Sequence, residues 1–206
     1  METKKILISG VAGSIGVHVL AHLLHNTDWF VVGLASFRHR GWTDRINEVV
    51  KDHPDWSNRY EVHTHDLTAP LSPILKSKIG HIDYIINLAS LSDVEASIKD
   101  PTTFIQNNVW SVLNMLEYAR EVKPKAFVQF STDEVFGALV PLIRRLMKIL
   151  HTILAVHTAL PKHPLIIWSA LIFIHTICRL LFPTAPTTMV LINFRKNYMD
   201  FLLQIY

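Results

Sequence analysis

Lys4-Lys-Ile-Leu-Ile-Ser-Gly10-Val-Ala-Gly13-Ser-Ile-Gly16 is the stretch on which the fold turns. Lys4–Ser9 is a compact apolar run suited to a buried strand. Ser14–Asn26 then carries Ile15, Val19, Leu20, Leu23 and Leu24 at helical spacing. Between the two, Gly10 permits a tight turn and Gly13 lets the backbone approach a pyrophosphate, while Gly16 lets helix and strand pack closely. A helix N-terminus placed there offers N–H donors and a favourable dipole to an anion. The expectation is a dinucleotide phosphate loop with Gly10, Gly13, Ser14, Ile15 and Gly16 as its contacts. An ordinary strand-to-helix turn is the plainer alternative.

Outward from this turn, short apolar runs alternate with amphipathic stretches. Trp29–Ala35 reads as a second strand, Thr43–Lys51 as a helix and Tyr60–His63 as a third strand. Ile82–Leu88 reads as a fourth strand, and Pro101 opens a long helix to about Glu121, proline being suited to a first turn. Ala126–Ser131 is the fifth strand. Such alternation predicts an α/β fold, a doubly wound parallel sheet of Rossmann type. It covers residues 1–137, and residues 138–206 read as a separate tail that is non-native, or irregular and helical.

Composition supports that division. The chain has 206 residues and a formal net charge of +3, yet after Glu134 its only acidic residue is Asp200. All seven glycines lie at or before Gly137. The Lys and Arg of the tail are diluted among Leu, Ile and Thr rather than gathered on one face, which argues against nucleic acid as a partner. The single cysteine, Cys178, excludes an internal disulfide framework. The N-terminus enters a strand directly, without the apolar core of a signal peptide, so a cytoplasmic location is expected. Leu165–Phe182 is nearly continuous apolar sequence and barely long enough for a bilayer, but Arg179, His175 and Thr176 make a membrane anchor costly. His151, His157, His163 and His175 lack ligand spacing, so no metal is expected.

The spacing GxxGxxG resembles the extended short-chain dehydrogenase/reductases, specifically their NAD-dependent epimerase/dehydratase family. Further matches follow in order. His65-Asp66-Leu67-Thr68 looks like the family segment whose aspartate meets adenine. Asn87-Leu88-Ala89-Ser90-Leu-Ser-Asp93 resembles the loop beneath the nicotinamide ribose. Pro101…Asn107-Asn108-Val109 resembles the helix whose asparagine braces the central strands. Ser131-Thr132-Asp133-Glu134-Val-Phe-Gly137 is the most specific piece and is similar to the nucleotide-sugar 4,6-dehydratases. These oxidise the hexose at C4, eliminate water across C5 and C6, and return hydride to C6. By that resemblance Asp133 is the acid, Glu134 the base, and Thr132 hydrogen-bonds the C4 oxygen. Paired carboxylates can divide such roles when their pKa values are pushed apart. A capping Asp-Glu pair at a strand end is the plainer reading. The resemblance also implies NAD as cofactor, a nucleotide-activated hexose as substrate and a homodimer through the Pro101–Glu121 helix. A 4-epimerase relative and a non-catalytic dinucleotide-binding protein are the alternatives.

Two departures stand out. Ala35 occupies the end of the second strand, where the family has an acid for the adenosine ribose; Ser36, Arg38 and Arg40 follow. The two arginines could instead meet the 2′-phosphate of NADP. The family's catalytic Tyr-x-x-x-Lys is also missing, since no tyrosine here has a lysine four residues later. The genetic code suggests where it went. Let each true codon take the third base of one residue's codon and the first two bases of the next. Val156–His163 then permits Pro-Tyr-Ser-Ala-Ser-Lys-Ala, with Tyr and Lys correctly spaced. Met147-Lys148 forces a glutamate inside a permitted Glu-Asp-Thr-Pro run. Met189-Val190 forces a glycine inside Cys-Ser-Asn-Asn-Tyr-Gly-Pro-Tyr-Gln. Residues from about 138 onward therefore read as the same gene out of frame, after a one-base shift between the codons for Gly137 and Met147. In this frame the reductase pair and the substrate lobe are absent, and no turnover is expected.

Overall fold

The computed structural model describes residues 3–38 and 41–131, together with the backbone of residues 188–192. Five strands alternate with helices in the order expected: β1 (Lys5–Ser9), α1 (Ser14–Asn26), β2 (Phe30–Ala35), α2 (Thr43–Val50), β3 (Tyr60–Thr64), α3 (Pro73–Ile79), β4 (Tyr84–Asn87), α4 (Val94–Lys99), α5 (Pro101–Val122) and β5 (Ala126–Phe130). A 3-10 turn at Pro54–Trp56 leads into β3. Thr188–Ile192 forms β6. All pairings are parallel, and the sheet runs β3-β2-β1-β4-β5-β6. The chain order reverses between β1 and β4, the position at which open α/β sheets form a crevice at the strands' C-terminal ends.

The strands are apolar on both faces because helices cover both. Ile6, Ile8, Val31, Ile86 and Val128 pack with Val19, Leu20 and Leu23 of α1 and Ile46 of α2. Leu7, Val32, Leu34, Ile85 and Phe127 point the other way, onto Ile79 of α3 and Val112, Met115, Leu116 and Ala119 of α5. Neighbouring residues of one strand thus serve two cores, as the two-residue period of a strand requires. Burying each such side chain contributes about 1.5–3 kcal/mol.

Two short helices escape the periodicity reading. α3 has seven residues and α4 six, too few for a repeating apolar stripe. Their caps were nonetheless in the sequence: Ser72 accepts from the Leu75 N–H and Asp93 from the Ala96 N–H. β6 is the other difference, because the sequence beyond residue 138 was expected to form no strand. Thr-Met-Val-Leu-Ile is a short apolar run with β-branched residues, which suits a sixth strand beside β5. No helix among the described residues is long and apolar enough to cross a membrane; Leu165–Phe182 lies outside them.

Candidate functional site

At the C-terminal end of β1 the chain turns through Gly10, whose φ is +70°. A Cβ there would sit 3.0 Å from the backbone of Ala89, so the turn lies directly against the loop after β4. At Gly16 a Cβ would come within 2.1 Å of the Gly10 carbonyl oxygen and 2.8 Å of Val11. No residue but glycine fits that approach, and the first turn of α1 is pressed onto the glycine turn in consequence. Gly13 is the N-cap, with extended backbone; its N–H donates to the Gly10 carbonyl at 2.9 Å.

The helices differ at their starts. α3, α4 and α5 are capped by Ser72, Asp93 and Asp100, but α1 and α2 have no side-chain cap. The first helical bond of α1 is Val17 N–H to the Gly13 carbonyl, which leaves the N–H groups of Ser14, Ile15 and Gly16 without intrahelical partners. Ser14 is exposed, Ile15 half-buried and Gly16 buried. Three donors converge there on the positive end of a 13-residue helix, the donor set a pyrophosphate needs.

Under this turn lies a buried polar chain that the sequence reading did not assemble. The Ser9 hydroxyl donates to Asn87 Oδ1 and accepts the N–H groups of Leu88 and Ala89, both at 3.1 Å. Asn87 Nδ2 donates to Gln129 Oε1 at 2.8 Å, and Gln129 Nε2 to the Phe130 carbonyl at 2.7 Å. Each of the three residues is buried, so each polar atom needs such a partner. The chain crosses β1, β4 and β5 at one level. It fixes the Leu88–Ala89–Ser90 loop and the exit of β5 into Ser131 relative to the glycine turn. Only adjacency in the sheet brings residues 9, 87 and 129 together.

The rim is built from later segments. Asp66 follows β3, and its Oδ1 accepts the Thr68 N–H at 3.0 Å and the Thr68 hydroxyl at 2.8 Å. Leu67 is buried, its carbonyl held by Asn114 Nδ2 of α5 at 2.8 Å. Arg38 reaches across from the end of β2 and grips Asp66 with both ends of its guanidinium, 2.9 Å to Oδ1 and 2.7 Å to Oδ2. Burial alone would raise the Asp66 carboxyl, but the Thr68 hydrogen bonds and the charges of Arg38 and His65 outweigh it and hold it below the usual value. Ser36 Oγ lies 3.4 Å from the Arg38 N–H. Ala35 is buried at the end of β2, its carbonyl accepting from the His65 N–H.

Asn107 stands at this rim, its Oδ1 3.4 Å from Arg38 Nη2. Next to it on the helix, Asn108 braces the loop after β4: it accepts the Leu91 N–H at 2.8 Å and donates to the Leu91 carbonyl at 3.0 Å. A one-residue step on a helix turns a side chain by about 100°, which separates the two roles. Ser131 leaves β5 half-buried at the same end of the sheet. Thr132, Asp133 and Glu134 lie outside the described residues, as does Arg40.

Sheet order, glycine turn and uncapped helix define a Rossmann-type α/β domain. Residues 7–143 match the family model described as GDP-mannose 4,6 dehydratase. The chain belongs to that family, the NAD-dependent nucleotide-sugar epimerases and dehydratases of the short-chain dehydrogenase/reductase group. It is 31% identical over 144 residues to dTDP-glucose 4,6-dehydratase of Escherichia coli, covering 66% of this chain and 38% of that protein. It is 33% identical over 147 residues to the dTDP-glucose 4,6-dehydratase of Neisseria meningitidis serogroup B, covering 66% and 39%. The chain thus spans about two-fifths of the length of these curated relatives. Among solved structures, dTDP-glucose 4,6-dehydratase from Streptomyces venezuelae with NAD and TYD bound has the same fold, with a TM-score of 0.70 at 21% identity, over 92% of this chain and 55% of that one. The UDP-Glc/GlcNAc 4-epimerase of Campylobacter jejuni gives a TM-score of 0.70 at 18% identity, over 98% and 60%.

Proposed function

We propose that residues 1–137 are the dinucleotide-binding half of an NAD-dependent nucleotide-sugar 4,6-dehydratase, and that in the present reading frame the chain binds the cofactor without turnover. One observation carries the reading. β5 lies beside β4 in the sheet and ends at Phe130, so Ser131 leaves the sheet at the same end as the glycine turn, and Thr132, Asp133 and Glu134 follow it in the sequence. The residues able to handle a sugar thus follow in sequence on a strand end that lies beside a loop able to hold the cofactor. The glycine turn supports the cofactor reading, because only glycine at positions 10 and 16 lets the turn, the first turn of α1 and the loop after β4 approach this closely.

The roles follow from family chemistry. NAD would take hydride from C4 and return it to C6; Glu134 would remove the C5 proton, Asp133 would protonate the departing hydroxyl, and Thr132 would bind the C4 oxygen. The substrate would be a nucleotide-activated hexose, and the intact enzyme a cytoplasmic homodimer. Residues 138–206 are the out-of-frame remainder. The family match stopping at residue 143, inside the interval where the frame is inferred to shift, supports this. The missing Tyr-x-x-x-Lys leaves nothing to deprotonate the C4 hydroxyl, which also favours a non-catalytic dinucleotide-binding protein as the second reading.

Sequencing the coding DNA between the codons for Glu134 and Lys148 tests the frame. A restored base recovers the catalytic segment, and a confirmed frame removes the dehydratase assignment for this chain. Titration of the purified chain with NAD+ tests the cofactor, with saturable binding expected. Formation of a 4-keto-6-deoxy sugar by the chain would overturn the prediction of no turnover.

A further inference from the structure

We propose that Asp66 sets the choice between NAD and NADP by holding Arg38, so that the site refuses a 2′-phosphate although an arginine stands beside it. This rests on the dinucleotide reading of the glycine turn.

In a doubly wound sheet the 2′ position of the adenosine ribose lies at the end of the second strand. An acid there accepts the 2′-hydroxyl, whereas a nearby arginine accommodates a 2′-phosphate. This chain has Ala35 at that point and Arg38 three residues on, a combination that by sequence alone suits NADP. The geometry alters that reading. Both amino ends of the Arg38 guanidinium are spent on the two oxygens of Asp66, 2.9 and 2.7 Å away, and Nη2 also lies 3.4 Å from Asn107 Oδ1. A planar fork engaged in this way has its Nη1–Nη2 edge, one of the edges with which arginine grips phosphate, filled by a carboxylate. A phosphate arriving there must displace Asp66 from the fork and then lie beside its charge. Asp66 is itself fixed by Thr68, so it cannot swing aside without losing two hydrogen bonds. The pair is close to neutral, and a 2′-hydroxyl meets no such penalty.

The test is calorimetric titration of the full chain and its variants with NAD+ and with NADP+. The wild type is expected to bind NAD+ more tightly. Asp66→Asn keeps an oxygen for Thr68, removes the competing charge and is expected to raise the NADP+-to-NAD+ affinity ratio about tenfold, the scale of one charge-assisted hydrogen bond. Arg38→Ala is expected to lower that ratio, since Asp66 then faces the phosphate alone. Asp55→Asn makes the same charge change at the opposite end of the strands and should leave the ratio alone. A wild type preferring NADP+, an unchanged ratio in Asp66→Asn, or an equal rise in Asp55→Asn overturns the proposal. A wild type that binds neither dinucleotide removes the underlying reading, and the proposal with it.

Discussion

The two ends of the same strands are held together by different chemistry. At the N-terminal end charges do the work. The Asp83 carboxylate accepts the Lys5 N–H at 2.9 Å and pairs with Lys125 at 2.7 Å, tying together the starts of β1, β4 and β5. Arg59 donates to the carbonyls of Leu24, Thr27 and Trp29, closing the passage from α1 to β2. Trp29 stacks on Tyr84 with Lys4 5.0 Å from its ring centre. At the C-terminal end the buried groups are neutral: a hydroxyl and two amides on Ser9, Asn87 and Gln129. Neutral hydrogen bonds orient a backbone without adding a field of their own. Beside the glycine turn an anion meets the helix dipole and backbone N–H groups. The ion pair described at this end, Arg38–Asp66, stands out at the rim, while the closed end ties the strand starts together with charges.

The comparison is broken most severely at Gly16. Gly16→Val forces a side chain into the Gly10 carbonyl, and a loss of about 3 kcal/mol is expected together with all NAD+ binding. Urea unfolding followed by circular dichroism measures the first and titration the second; retained affinity would show that the close approach is not needed. Asp83→Asn should cost about 2 kcal/mol, because it removes the charge of a buried carboxylate that the Lys5 N–H and the Lys125 ammonium satisfy, while leaving the far end untouched. Burial raises the Asp83 carboxyl, but Lys125 and the Lys5 N–H outweigh this and its value is lowered. A lowered carboxylate contributes stability above its unfolded pKa, about 4, and loses it as the pH falls through the lower folded value. The wild-type advantage over Asp83→Asn should therefore be full near neutrality and fade below about pH 4; a gap independent of pH would sink the assignment. Smallest of all, Lys76→Ala removes a largely exposed pair with Glu121, 2.5 Å long, and should change the same unfolding midpoint by no more than about 0.5 kcal/mol.

What could be read in advance follows from range. β1, α1 and the turn between them sit within 22 residues and announce themselves through local spacing, and Gly10 and Gly13 lie in that turn with Gly16 in the first turn of α1. Arg38 and Asp66 were both singled out, yet their pairing across 28 residues was not, and it changes what Arg38 is for. The motif Asn107-Asn108-Val109 does not say which asparagine braces its surroundings; helix phase decides it, and Asn108 holds Leu91. Ser9 and Gln129 carry no motif-level signal, because a buried serine or glutamine is explained by its neighbours in space.

The strand order has a consequence during synthesis. β1 pairs on one side with β2, made soon after it, and on the other with β4, whose Asn87 follows Ser9 by 78 residues. At about 5–20 residues per second, one whole edge of the central strand stays open for roughly four to sixteen seconds on the ribosome. During that interval the backbone edge of Ile6, Leu7 and Ile8, later among the enclosed residues of the domain, stays unpaired and their apolar side chains uncovered. Nascent-chain capture by a chaperone should therefore be released when β4 emerges, well before the tail is translated.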